Sequence, residues 1–242
     1  MKKLLLILFI FIYSVNAKAQ FFGQVPQAKK YDATKVVDPE YGIVMYEKLN
    51  FQTGGDSVRN DKRGYAQQGW IEDLYESGKL LHKGYYEDGH LKIYKNFYEN
   101  GNIERSFKII DFKRCNMQLF YEDGKLKSDV TYYEGAAQIW IDYYPNGQLE
   151  YHEENTKSME YLIKRNSYRE DGKPSDLFEL IDPKKRIYIK KEYAENGSLK
   201  AEGTMKYSKP MMDYQKDGNW KIYDDKGKST DEKWVNGEQV TN

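Results

Sequence analysis

The sequence predicts an all-β protein, an elongated antiparallel β-meander built from tandem hairpin repeats of about 23 residues. The first observation is a glycine that recurs every 23 residues, at Gly78, Gly101, Gly124 and Gly147. A fixed period of this length indicates one small supersecondary unit copied along the chain. The second observation is the composition, because 23 tyrosines against 6 prolines suit strands with one solvent-exposed face. The mean hydropathy of -0.89 indicates a shallow sheet with much exposed surface.

The first 19 residues have the layout of a secretory signal peptide. Lys2 and Lys3 precede an apolar run from Leu4 to Tyr13, and Ala17 and Ala19 supply the small residues of a cleavage site. The run is shorter than the roughly 20 apolar residues that span a membrane. We therefore predict a cleaved signal peptide at 1–19. The mature chain is expected to be periplasmic or secreted, without a lipid anchor, because no cysteine follows the cleavage site.

Net charge argues against a nucleic-acid binder. The whole chain has 38 basic and 38 acidic residues. Removing 1–19 takes away three lysines and no acid, which leaves a small negative charge. Binding to a phosphate backbone needs a basic surplus on some face, so we expect no nucleic-acid partner.

The sequence before the repeats divides into two parts. Residues 20–40 contain few periodic apolar positions and are interpreted as a linker. Tyr41 to Leu49 alternates like an edge strand, and Gly54 to Gly64 has the polar composition of a loop. Residues 41–67 are therefore predicted to form an N-terminal capping strand and loop, and the hairpin repeats are predicted to occupy 68–238.

Each periodic glycine ends a Tyr-x-x-Gly tetrad, and a leucine or isoleucine follows two residues later. Ser-Gly, Asn-Gly and Asp-Gly pairs favour two-residue hairpin loops in which both central residues have positive φ. Closing such a loop on Asp123 and Gly124 would pair Tyr121 with Leu126. The same count pairs the tetrad tyrosine with the following Leu or Ile in the other three repeats. Asp88-Gly89 and Glu134-Gly135 are predicted to supply the turns between these hairpins.

This register assigns side chains to two faces of the sheet. On the predicted inner face, Asp73 lies opposite His82 and Asp142 lies opposite Tyr151, with apolar pairs such as Tyr94 and Phe107 further along the strands. On the other face, the register pairs Phe97 with Glu104, Phe120 with Lys127 and Tyr143 with Glu150. We interpret that face as solvent-exposed, with long charged side chains covering the rings.

After Gly147 the repeat becomes less regular. The turn glycines continue as Gly172, Gly197 and Gly227, but the aromatic residue stands one position further from each glycine, at Tyr168 and its equivalents. This spacing predicts a longer loop or a bulge. The stretch 206–217 is predicted to loop out of the last hairpin.

Tyrosines recur at one register and suggest a possible binding strip made of Tyr94, Tyr98, Tyr121 and Tyr144. Such a row of rings suits either a ligand-binding surface or the packed face of the sheet. Packing is the interpretation we favour. The exposure of the rings distinguishes the two.

The pattern of an aromatic, then Tyr-x-x-Gly-x-Leu, then a second glycine near mid-repeat resembles the MORN repeat in its bacterial variant form. It is clearest from Trp140 to Leu149 and from Asp217 to Tyr223, and the resemblance covers roughly 68–238. The resemblance implies an antiparallel β-meander that acts as a protein-interaction or membrane-apposed scaffold. Some bacterial members are labelled antitoxin components. The Gly-x-Gly step of eukaryotic members is absent, so their lipid binding is not carried over.

No constellation typical of an enzyme stands out. The three histidines lack zinc-site spacing, and no nucleophile elbow or phosphate loop occurs. Cys115 is the only cysteine, so the chain can form no internal disulfide. Asp73 and Asp142 occupy equivalent positions and could in principle form the carboxylate pair of a glycosidase. We favour hydrogen bonds to His82 and Tyr151 instead, and predict no catalytic, metal or cofactor site.

Two functions remain open at this point. The first is a protein-interaction scaffold in the cell envelope, with another envelope protein as partner. The second is a glycan-binding surface, and the resemblance adds an antitoxin-like component and a membrane surface as weaker alternatives.

Overall fold

The computed structural model describes residues 49–50, 54–55 and 59–240. The predicted signal peptide and linker lie outside the described residues, as does most of the predicted N-terminal cap. No helix long and apolar enough to cross a membrane occurs in the part of the chain that the structure describes.

The protein is built from antiparallel strands, and no helix occurs in the described residues. A small sheet pairs β1 with β2, and β3 to β17 form one open sheet in which each strand pairs with the next along the chain. This arrangement confirms the predicted all-β meander of tandem hairpins. The strands are β1 (Leu49–Asn50), β2 (Gly54–Gly55), β3 (Gly69–Leu74), β4 (Leu80–Glu87), β5 (His90–Phe97), β6 (Ile103–Ile109), β7 (Arg114–Phe120), β8 (Leu126–Tyr133), β9 (Ala136–Tyr143), β10 (Leu149–Asn155), β11 (Leu162–Tyr168), β12 (Pro174–Asp182), β13 (Ile187–Tyr193), β14 (Leu199–Ser208), β15 (Asp213–Tyr223), β16 (Ser229–Val235) and β17 (Glu238–Gln239).

The turns at the periodic glycines have three loop residues, so the predicted two-residue loop is wrong. The amide of Gly124 donates to the carbonyl of Tyr121 at 2.8 Å, and the amide of Tyr121 donates to the carbonyl of Lys125 at 2.8 Å. Gly124 has a φ of 87°, whereas Asp123 is not among the residues with positive φ. This is a type I turn followed by a left-handed glycine that forms a bulge.

A bulge shifts the pairing next to each glycine turn from Gly78 to Gly197. Leu126 pairs with Phe120 rather than with Tyr121, and Ile103 pairs with Phe97. The predicted partner Glu104 is only 3% exposed, and its carboxylate lies 4.0 Å from the Arg105 guanidinium. The predicted solvent-exposed pair of Phe97 and Glu104 is therefore wrong, because the bulge turns the glutamate into the protein.

Beyond the bulge the predicted register is correct. The structure pairs Asp73 with His82, Tyr94 with Phe107, and Asp142 with Tyr151. Alternation along the strands predicts these pairs because residues two apart share a face.

The later repeats use the same three-residue turn, so no longer loop forms there, and the alternative prediction of a bulge is correct at Gly172 and Gly197. Arg169, Ala194 and Asp224 occupy the position that a tyrosine holds in the first four turns. The amide of Gly172 donates to the carbonyl of Arg169, and the amide of Arg169 donates to the carbonyl of Lys173, both at 2.8 Å. The aromatic residue of the later repeats is the last residue of the preceding strand, equivalent to Phe97 and Phe120.

Two-residue turns do occur, at the other end of the strands. Asp88 and Gly89 have φ of 50° and 78°, and Glu134 and Gly135 have φ of 49° and 83°. These are the mirror-image turns that join hairpin strands most tightly. The stretch 206–217 does not loop out as predicted. It comprises the end of β14, a turn at 209–212 and the start of β15, and these strands of 10 and 11 residues form the longest hairpin of the sheet.

The core lies on one face of the sheet, which we call the inner face and which carries Asp73, His82 and Tyr94. Its larger cluster lies between β3 and β9 and includes Tyr86, Phe107 and Met117. A smaller cluster of Leu162, Phe178 and Tyr188 lies further along the sheet. The opposite face is called the outer face below.

Candidate interaction surface

The tyrosines of the first four turns connect neighbouring repeats. Each hydroxyl donates to the backbone carbonyl of the residue that ends the corresponding strand of the next repeat. These bonds run from Tyr75 to Phe97 at 2.7 Å, from Tyr98 to Phe120 at 2.8 Å, from Tyr121 to Tyr143 at 2.7 Å and from Tyr144 to Tyr168 at 2.9 Å. The carbonyls belong to strand residues next to a bulge, where the backbone hydrogen-bond pattern of the sheet is interrupted. These four tyrosines, which we call the tyrosine ladder, therefore tie each repeat to the next beside a bulge.

The four tyrosines of the possible binding strip do not share one exposed surface. Tyr98, Tyr121 and Tyr144 are half-buried. Tyr94 is 2% exposed, and its ring centroid lies 5.3 Å from that of Phe107. Burial raises the pKa of both Tyr94 and Tyr98 to about 12, which keeps their hydroxyls protonated.

A buried polar cluster lies at the start of the sheet. The Arg59 guanidinium donates to both carboxylate oxygens of Asp73 at 2.7 Å and to the Tyr86 hydroxyl at 3.3 Å. The Tyr86 hydroxyl lies 3.2 Å from Nε2 of His82, whose Nδ1 lies 2.7 Å from the Asn96 side-chain oxygen. Burial lowers the pKa of His82 to about 4, so the ring is neutral at pH 7. The cluster anchors the segment around Arg59 to the sheet.

The two candidate carboxylates are too far apart to act together. Asp73 lies on β3 and Asp142 on β9, six strand spacings away, which corresponds to roughly 29 Å. A glycosidase pair lies about 5 to 10 Å apart. Their predicted partners were also wrong. Asp73 binds Arg59, and Asp142 accepts hydrogen bonds from Ser128 at 2.5 Å and from the Trp140 indole at 2.8 Å.

The remaining reactive side chains form no site. Burial raises the pKa of the Cys115 thiol to about 12, which removes its nucleophilic form. No group of His, Cys, Asp and Glu arranged for a metal ion occurs among the described residues. A trough of about 660 Å³ near the C-terminal end is lined by Glu202, Lys221, Asp231 and Lys233 among others, so charges of both signs face it.

The outer face of β3 to β5 exposes a group of large apolar side chains. Trp70, Tyr85 and Ile93 follow one another across three neighbouring strands and are 57%, 39% and 46% exposed. The rings of Trp70 and Tyr85 meet edge to face with their centroids 5.5 Å apart. Leu74 lies on the same strand and face as Trp70, four residues on, and is 41% exposed. We call these four residues the apolar patch.

Lysines border the apolar patch. Lys83, Lys95 and Lys108 are exposed and lie on the outer face of β4, β5 and β6. The ammonium of Lys83 lies 5.9 Å from the Trp70 ring centroid and 2.7 Å from a carboxylate oxygen of Glu72. Neither Lys95 nor Lys108 forms an ion pair within the described part of the chain.

The apolar patch adjoins one end of the sheet. No strand among the described residues pairs with the second edge of β3. Edge strands of this kind present unpaired backbone groups that another chain can bond. Exposed apolar side chains and an open edge therefore occur together at β3.

The comparison with protein families agrees with this architecture. The MORN repeat variant model matches 116–132, 139–157 and 189–207. These stretches are MORN repeats of the variant type. A search of curated proteins finds no match to the chain.

Each matched MORN repeat is one strand, one three-residue glycine turn and the next strand, centred on Gly124, Gly147 or Gly197. The turns at Gly78, Gly101, Gly172 and Gly227 have the same pair of backbone hydrogen bonds. The same turn geometry therefore recurs at glycines outside the matched stretches.

Sequence reasoning missed both the Arg59 cluster and the apolar patch. Arg59 lies 14 residues from Asp73, in the stretch interpreted as a polar loop, and no short-range pattern links the two. The patch had a usable signal. Continuing the predicted register one step further along β3 and β4 pairs Trp70 with Tyr85 on the outer face, and Ile93 lies beside them on β5.

Proposed function

We propose that the protein is an exported, non-enzymatic scaffold that binds another protein of the cell envelope. MORN repeats are generally repeats for protein or membrane interaction, and the family is generally non-catalytic. The observation that carries the proposal is the apolar patch beside the edge of β3 that no described strand pairs with. Exposed apolar groups of this kind in a soluble protein commonly mark a site for another molecule.

Export is the part of the proposal that rests on the sequence alone. Residues 1–19 have the basic, apolar and small-residue order of a signal peptide. A repeat protein exported in this way would meet its partner in the envelope. The extended sheet provides a surface for that contact, since repeats enlarge a binding face without enlarging the core.

A glycan-binding role is the second candidate, and one observation favours it. The exposed Trp70 and Tyr85 rings lie side by side on an open face, where the apolar face of a sugar could stack on them. The lysines around them favour protein over neutral glycan, because charged side chains add nothing to stacking on an uncharged sugar.

The test is to express the full chain in the cell that produces it, with a photo-crosslinking amino acid in place of Tyr85. We expect the chain to be recovered from the envelope fraction or the medium with the mass that remains after loss of 1–19, crosslinked to one discrete protein. The same substitution at Tyr223, at the far end of the sheet, is the control and should give no adduct of that mass.

Recovery of the unprocessed chain from the cytoplasm would contradict export. Crosslinks to glycan alone would favour the second candidate. Turnover of a glycan or peptide that is lost in Asp73→Asn or Asp142→Asn would replace the scaffold with an enzyme.

A further inference from the structure

We propose that the outer face of β3 to β6 is a docking site for an acidic segment of a partner protein that also carries apolar side chains. This inference rests on the proposed function and names the place and the chemistry of the contact. It combines the apolar patch with the lysines beside it, which we call together the basic-aromatic face.

The charges of the basic-aromatic face are not balanced within the described chain. Lys83, Lys95 and Lys108 project from three neighbouring strands, and only Glu72 lies among them. Lys83 is paired with Glu72, which leaves Lys95 and Lys108 without an ion pair in the described residues. Acidic side chains on a partner would meet two exposed ammonium groups, which gives electrostatic complementarity.

The order of residues across the face indicates how a partner would lie. Trp70, Tyr85, Ile93 and Lys108 form one row across four strands, and Glu72, Lys83, Lys95 and Ser106 form the row beside it. A peptide that crosses the strands would meet rings at the β3 end and ammonium groups at the β6 end. Its apolar side chains therefore belong over Trp70 and Tyr85, and its acidic side chains over Lys95 and Lys108. Binding energy should be concentrated on the aromatic residues, as at other protein interfaces.

The geometry favours a protein segment over a membrane surface. Trp70 and Tyr85 lie on the paired strands β3 and β4, where their rings meet edge to face, and no loop carries them outward from the sheet. The carboxylate of Glu72 lies within the face, and Glu87 is exposed at its margin on β4. An anionic bilayer would repel both groups, whereas a peptide can place its own charges to avoid them.

The test uses the full exported chain and a displayed library of random 12-residue peptides. We expect selected peptides to be enriched in Asp and Glu together with Leu, Phe or Trp. Fluorescence anisotropy with the best labelled peptide should give an affinity that falls at least tenfold in Lys95→Glu/Lys108→Glu and at least tenfold in Trp70→Ala. The affinity should also fall steeply as salt concentration rises.

The control is Lys200→Glu/Lys226→Glu, which makes the same charge change at exposed lysines in the distant C-terminal hairpins. This variant should bind the selected peptide as the unmodified chain does. The variant Lys95→Glu/Lys108→Glu should instead bind the same peptide with its acids replaced by lysine, a gain that unfolding cannot produce. Thermal unfolding of each variant measures any loss of stability.

Three outcomes would overturn the inference. The selected peptides could lack acidic residues, or could bind Lys95→Glu/Lys108→Glu as tightly as the unmodified chain. The protein could also bind phosphatidylglycerol vesicles through Lys95 and Lys108 and bind no peptide. That result would identify the face as a membrane-binding surface. The proposed function is tested separately and fails if crosslinking in the cell yields no envelope protein. If Lys95→Glu/Lys108→Glu still captures the crosslinked partner, the proposed function stands and the docking site at the basic-aromatic face is wrong.

Discussion

At the scale of single residues, tyrosine is used here for two different structural tasks. Tyr98 and Tyr121 lie at turn starts and donate to carbonyls of the next repeat, at 2.8 and 2.7 Å. Tyr94 and Tyr86 lie on the inner face and fill the core around His82. Residue type does not distinguish the two groups, because all four residues are tyrosines. They differ in their position relative to the bulge.

His82 makes the stability of the protein depend on pH. Its pKa is about 4 in the folded protein, whereas an unfolded chain has a histidine pKa near 6.5. The unfolded state therefore binds the proton more tightly between these values, and the stability falls as pH drops from 7 towards 4. Going from pH 7 to pH 5 should cost about 2 kcal/mol through this residue. Urea unfolding at both pH values, compared with His82→Gln, isolates the effect.

The variant His82→Gln cannot titrate at this position and still offers hydrogen-bonding groups to Asn96 and Tyr86. It should lose less stability than the unmodified protein over the same pH interval, since all other groups titrate in both. If both proteins lost the same stability between pH 7 and pH 5, His82 would not be buried and neutral in the folded protein.

At the scale of the hairpin, three-residue glycine turns alternate along the sheet with turns of other lengths, among them the two-residue turns at Asp88-Gly89 and Glu134-Gly135. The three-residue turns have one left-handed residue, such as Gly124 with a φ of 87°. The two-residue turns have two, such as Asp88 and Gly89. Bulges adjoin the three-residue turns from Gly78 to Gly197, and the hairpins closed by Asp88-Gly89 and Glu134-Gly135 have bulges as well. The hydroxyls of the tyrosine ladder bond carbonyls beside the bulges of three-residue turns.

The turns also provide a test of backbone strain. Gly124→Val forces a β-branched residue to positive φ and should destabilise by at least about 1 kcal/mol. A Cβ at Gly124 meets nothing closer than 3.8 Å, so the cost would come from the backbone alone. Gly172→Val should cost at least as much, because the turn is the same and a Cβ would lie 2.8 Å from the side-chain oxygen of Gln148. Urea unfolding of both variants measures the two costs.

Glu122→Val is the matched control for the glycine variants. It places the same side chain in the same turn at a residue that does not have positive φ, and we expect a change within about 0.5 kcal/mol. If Gly172→Val proved clearly milder than Gly124→Val, the two turns would not share one geometry.

The sequence was sufficient for the fold and for most of the register, and insufficient next to the turns. Pairs such as Asp142 with Tyr151 are predicted correctly because the extra residue of the bulge offsets the change from a two-residue to a three-residue loop. An Asn-Gly or Asp-Gly pair is compatible with both two-residue and three-residue loops, so local chemistry alone did not select between them. The contact of Arg59 with Asp73 depends on how the chain returns over the inner face, for which no periodic signal exists.

At the scale of the whole molecule, the sheet behaves as a one-dimensional array. Each strand pairs only with its neighbours in the chain, and the core divides into two clusters, one between β3 and β9 and one between β11 and β13. In repeat proteins of this kind, stability is close to a sum of local terms and nearest-neighbour terms. A binding face at one end of the sheet can therefore be supported by the hairpins beneath it and be largely independent of the far end.

Because the core divides into two clusters, we expect a substitution in one cluster to destabilise mainly the strands around that cluster. Phe178 is 6% exposed and stacks on Tyr188 with centroids 4.7 Å apart, so Phe178→Ala should remove about 3 kcal/mol or more from the second cluster. Native-state hydrogen exchange should then show lost protection in β11 to β14, with β4 to β8 nearly unchanged. Phe107→Ala, in the first cluster, is the matched variant and should give the opposite pattern. Equal loss of protection along the whole sheet in both variants would mean that the fifteen strands unfold as one cooperative unit, and the apolar patch could not then be stabilised by its own hairpins alone.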